Sequence, residues 1–92
     1  MAVAEGSITI TSAGVQQPFT TGALGFTPVT LFVTLENAQI RFWYGGTVPT
    51  TTTGHPGYVN QAFTFTKTSH IENLQMIAEG SDAKINYTVE DS

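Results

Sequence analysis

AQIRFWYGGTVPTTTTGHP, residues 38–56, is the stretch on which the reading of this chain turns. Its first part alternates, with Ile40, Phe42 and Tyr44 to one side and Gln39, Arg41 and Trp43 to the other. Side chains of a strand point alternately to opposite faces, so this is a half-buried β-strand. Gly45-Gly46 ends it, because paired glycines tolerate the positive φ of a tight reversal. A Thr-rich excursion, Thr47 to Thr53, follows, is interrupted by Pro49 and closes on Gly54-His55-Pro56-Gly57. One aromatic strand followed by a long polar loop belongs to a β-domain and carries no chemistry of its own.

Immediately upstream, Val29–Leu35 alternates Leu31, Val33 and Leu35 against Thr30, Phe32 and Thr34. Glu36-Asn37 is a turn signal, and two strands joined by so few residues are normally antiparallel hairpin partners. In that hairpin Phe32 and Trp43 share one outer face. Either a partner covers this face, or the domain's own second layer or the Thr-rich loop does.

Further out, Ser7–Ser12 alternates Ile8 and Ile10 against threonines and reads as a strand. Pro18 confines any strand in Val15–Thr21 to an edge. Downstream, Ala62–Thr66 is a strand with Phe63 and Phe65 inward, and Lys67–His70 is a polar link. Glu72–Ala78 fits a helical turn or a strand, and its shortness favours strand, with Leu74, Met76 and Ala78 on one side. Ala83–Glu90 is the clearest strand, with Ala83, Ile85, Tyr87 and Val89 inward. Its short link to the preceding strand predicts a C-terminal hairpin. The expected fold is all-β: a small antiparallel β-sandwich or barrel, jelly-roll-like, of about six to eight strands. Residues 1–92 form one domain, with 1–6 as an extended N-terminal arm.

Composition narrows the function classes. The 92 residues include no cysteine, so disulfides and Cys-based zinc sites are excluded. Two distant histidines without a carboxylate cluster predict no metal, and no cofactor motif is present. The net charge is −4 and the only cations are Arg41, Lys67 and Lys84, which do not cluster. Binding to nucleic acid or to an anionic membrane is therefore not expected. No run approaches a membrane span, and Met1–Glu5 lacks the features of a secretion signal. A chain this short has a marginal core, and charged residues are only 11% of it. Both features suit a protein covered by neighbours.

No nucleophile, base and orienting group fall in a recognisable arrangement, no phosphate loop is present, and the carboxylates sit at turns, strand starts and termini. Both His55 and His70 read as ordinary loop residues. The expectation is a protein that is not an enzyme. Trp and Arg dominate the energetics of protein interfaces, so Phe32, Arg41 and Trp43 are the candidate interface residues. Trp43→Ala or Arg41→Ala is then expected to weaken assembly and leave the fold nearly intact. The bland alternative has Arg41 lying over Trp43 on a wetted surface, and Trp43 with Tyr44 or Tyr58 could instead stack on a sugar.

The chain resembles small tailed-bacteriophage virion proteins. The resemblance rests on Ile40-Arg41-Phe42, Gly46-Thr47, Pro49-Thr50 and Gly54-His55, and continues through Ile71, Asn73 and Met76-Ile77 to Gly80-Ser81-Asp82-Ala83 and Ile85–Val89. Gly45 stands where the family pattern usually has an aspartate. The resemblance implies a structural protein of the virion, either a capsid decoration (cement) protein or a minor neck or tail component. With it come expectations of a homo-oligomer, a trimer foremost, a major capsid or other virion protein as partner, and a place on the capsid surface. A carbohydrate- or receptor-binding β-module is the alternative from another class.

Overall fold

The computed structural model of the protein describes residues 1–92. In chain order its strands are β1 (Val3–Ile10), β2 (Thr30–Glu36), β3 (Ile40–Trp43), β4 (His55–Gly57), β5 (Ala62–Phe65), β6 (Gln75–Ala78) and β7 (Ala83–Glu90). Two short helices, α1 (Thr21–Leu24) and α2 (Thr68–Glu72), interrupt them. The strands form two antiparallel sheets, ordered β1-β7-β2-β5 and β4-β3-β6. The fold is thus the expected all-β antiparallel sandwich, with seven strands.

Period-2 alternation placed the inward faces correctly. Leu31, Val33, Leu35, Ile40, Phe42, Ile85, Val89 and Ile10 are buried in one cluster, and Ile8, Tyr44, Phe63, Phe65 and Tyr87 pack against it. Phe19 is a large core residue that alternation did not reveal. It is 1% exposed and meets Tyr87 edge-on, with ring centroids 5.0 Å apart. Pro18 and Thr20 flank it, so no periodic signal marked it.

Both expected hairpins are absent. β2 pairs with β5 and β7, whereas β3 lies in the other sheet between β4 and β6. The chain turns the corner at Asn37, whose φ is +78°, and the Ala38 N–H donates to the Glu36 carbonyl at 3.0 Å. That bond, two residues apart, closes a tight bend that throws the chain from one sheet to the other. β6 and β7 likewise belong to different sheets, so the Glu79–Asp82 link is a second crossing. A short link sets proximity; which strand becomes the neighbour is set by which face needs covering.

Residues 3–6, expected within an arm, are paired with β7 from Val3↔Glu90 to Gly6↔Tyr87. The alternation is hidden there because the inward positions are Ala4 and Gly6. A Cβ on Gly6 would lie 3.1 Å from the Tyr87 hydroxyl. Tyr87 supplies the bulk that Gly6 omits. In Glu72–Ala78 only Gln75–Ala78 is strand. Residues 68–72, partly read as a polar link, form α2, which buries Ile71.

The sheets are joined unequally along their two sides. On one side the Ala78 N–H donates to the Thr11 carbonyl (2.9 Å), and Gln16 and Met76 exchange backbone bonds of 2.8 and 2.9 Å. On the other side β4 and β5 are the sheet edges, joined by chain but by no backbone hydrogen bond. The sandwich is stitched along β1/β6 and open along β4/β5.

The bend at Asn37 gives a test. Positive φ costs a β-branched residue about 1–2 kcal/mol, whereas glycine adopts it freely. Asn37→Val should lose about that much in denaturant unfolding, and Asn37→Gly should hold or gain stability.

Candidate functional site

The open side is built from three elements. Alternation on β3 and just beyond it sends Phe42 and Tyr44 inward, and β4 sets His55 opposite Phe42. α2 brings His70 to the same place. Tyr44 contacts both histidines, with ring centroids 5.7 Å from His55 and 4.9 Å from His70, and Phe65 at 5.5 Å. Phe42 lies 5.0 Å from Phe63 in an edge-to-face pair, the geometry that the ring quadrupoles favour. Beside these rings runs a groove of about 600 Å³ between β4 and β5, its polar lining supplied by Gln61, Thr64, Thr66 and the two histidines.

Gly57 allows the rings to come this close. A Cβ there would sit 2.9 Å from Ile40 Cγ1 and 3.2 Å from the Phe63 ring. Only hydrogen at this position lets β4 lie against both neighbours, which fixes where His55 stands.

α2 is held from behind. The Glu72 carboxylate accepts hydrogen bonds from the backbone N–H and the hydroxyl of Thr21, and Gln17 donates to the Glu72 carbonyl at 2.8 Å. The Thr21 side-chain and backbone bonds hold the Glu72 carboxyl below its ordinary 4.5. On the outer face of the four-stranded sheet, the Asn86 amide bond and then the Lys84 charge lower Glu36 in the same sense.

The structure separates the three residues expected at one interface. Phe32 is 47% exposed on the outer face of the four-stranded sheet, opposite Thr64 and Thr88. Trp43 belongs to the three-stranded sheet and packs its ring edge-on against His55 at 4.9 Å. Outer faces of the two layers of a sandwich point apart, so Phe32 and Trp43 do not share a face. Arg41 is engaged within the chain: its Nε donates to Glu79 at 2.7 Å and its Nη1 to the Gly54 carbonyl at 3.2 Å. Gln39 donates to the same Glu79 oxygen at 2.8 Å.

His55 and His70, read as loop residues, are instead on β4 and α2 and converge on Tyr44. No single-residue signal marked them, because their meeting depends on the β4/β5 edge. None of the protein's seven carboxylates lines the groove. The arrangement offers aromatic faces, hydroxyl and amide groups and two imidazoles along a cleft. These groups can stack on a bound molecule and hydrogen-bond to it. The chain matches no known protein-family model, no curated protein and no solved structure.

Two outcomes follow. Because Glu72 binds its proton less readily folded than unfolded, its contribution is full above about pH 4.5 and is lost as pH falls through the lowered folded value. Glu72→Gln should therefore flatten the fall in melting temperature between pH 5 and pH 3, to about the extent that one carboxylate supplies. Arg41→Ala should cost about 1 kcal/mol in unfolding, since it removes a charge-assisted bond from Glu79 and leaves the Gly54 carbonyl unpaired.

Proposed function

We propose that this chain is a non-enzymatic structural protein of a tailed-phage virion: a capsid decoration (cement) protein that binds the outside of the head and stabilises it. The observation that carries the reading is the open side of the sandwich, where an aromatic groove runs beside a strand edge with nothing paired to it. Such a cleft is a place for another chain to sit. The resemblance of residues 40–55 and 71–89 to small phage virion proteins supplies the setting.

The low charge supports the same reading. The outer face of the four-stranded sheet is mainly Thr, Ser and Asn, and several of its side chains are tied to one another: Lys84 to Glu36 at 3.4 Å, Asn86 to Glu36 and Ser7, Thr88 to Glu5. Phe32, and Val3 at the end of β1, are the large apolar groups left on that face. We assign contacts between copies to the Phe32 face, with the trimer that the resemblance implies, and contacts with the shell to the groove. Trp43 rests on His55, which lines the groove.

A neck, tail or fibre component is the second reading within the virion. Carbohydrate binding is a third, favoured by the groove's rings and by Gln61 and Thr64.

Copy number decides between the virion roles. Quantitative mass spectrometry of purified particles should find hundreds of copies for a cement protein, and particles lacking it should rupture at lower temperature. A few dozen copies or fewer would move the assignment to neck or fibre, and absence from particles would end it. Phe32→Ser should leave far-UV circular dichroism and melting unchanged while lowering the sedimenting mass.

A further inference from the structure

We infer that the β5 edge accepts an extended arm of the shell protein as an added strand, whose alternate apolar side chains fill the aromatic groove. The inference rests on the cement reading above and names how the groove is used.

The register shows which backbone groups are free. Phe63 and Phe65 lie opposite Val33 and Leu31, and the Leu35 N–H donates to the Gln61 carbonyl at 3.1 Å. Alternation in an antiparallel ladder then turns the N–H and C=O of Phe63 and Phe65 toward β2 and those of Ala62, Thr64 and Thr66 outward. Nothing pairs with them, since β5 ends its sheet. Edge strands are normally guarded by charge, proline or a cover. Of the other edges, β4 carries Pro56, β1 carries Glu5 and β6 is covered by the Thr11 and Gln16 backbone, but AFTF in β5 has neither charge, proline nor cover.

The groove lies along this same edge, and Ala62, Thr64 and Thr66 are part of its lining. A strand laid on β5 would point every second side chain into it, which is the geometry of recognition by strand addition. The vacancy also selects the kind of strand. If the edge of a second folded copy paired here, its groove-facing side chains would already be packed in its own core, and about 600 Å³ would stay unfilled. An arm with free side chains fills it. The arm therefore carries aliphatic or aromatic residues at alternate positions.

The test uses the intact protein and shells that lack it. Thr64→Pro removes an outward N–H at an edge position, where proline is tolerated, and should lower shell binding by at least about tenfold. Thr64→Val keeps the N–H and should bind as the wild type does. Circular dichroism checks the fold of both. Should Thr64→Pro fail to fold, hydrogen exchange on the wild type decides: the amides of Ala62, Thr64 and Thr66 should exchange fast in the free protein and become protected on shells. Wild-type binding that leaves these amides unprotected, or that survives in a folded Thr64→Pro variant, overturns the strand-addition inference and leaves the cement reading standing. Failure of the wild type to bind shells at all overturns both.

Discussion

The fold depends on β7 being paired along both of its edges. It matches β1 from Val3↔Glu90 to Ile10↔Ala83 and β2 from Thr30↔Glu90 to Glu36↔Lys84. A strand so placed has its backbone groups satisfied without water, which is what lets Ile85 and Val89 lie fully buried between them. The three-stranded sheet then needs only to cover the inner face that this ladder creates. β3 does so with Ile40 and Phe42, and β6 with Met76 and Ala78. The Thr11 and Gln16 backbone bonds close the stitched side, and Phe19 packs its ring on Tyr87.

The asymmetry between the two sides has a consequence for a domain of this size. Roughly 60–65% of the unfolded chain's surface can be buried in a protein this small, so each seam matters. Closing both sides would make a barrel and remove the edges. This chain closes one and leaves the other lined with rings that are half-buried rather than buried. Apolar surface is left at Phe63, Phe65 and Tyr44, each packed against the core on one side only. The same side is free of carboxylates in a protein rich in them relative to its three cations.

Arg41 shows how an interface signal and a structural one can coincide. Arg and Trp two apart on a strand share a face, and the pair resembles an energetic anchor. Here the guanidinium ties the end of β6 to β4 through Glu79 and the Gly54 carbonyl, and Gln39 shares the same carboxylate. The indole rests on His55. Both side chains hold the three-stranded sheet in place beside the groove, while Phe32, on the outer face of the other sheet, keeps its exposure.

Sequence alone determined the strands other than β4, their inward faces and the all-β class, because period-2 alternation is a local property that survives without knowledge of neighbours. Ile40/Phe42, Leu31/Val33/Leu35 and Ile85/Val89 were legible for that reason. The pairing of strands was not. Asn37 and the Glu79–Asp82 link are short enough for hairpins, and only the need to cover the inner face of the four-stranded sheet sends β3 and β6 to the other layer. β1 was half legible, since Ala4 and Gly6 give no apolar signal and their role depends on Tyr87 across the ladder. The groove was not legible at all. His55, Tyr44, His70 and Phe65 are far apart in sequence, and they meet because two sheet edges, β4 and β5, are left facing each other without a bond between them.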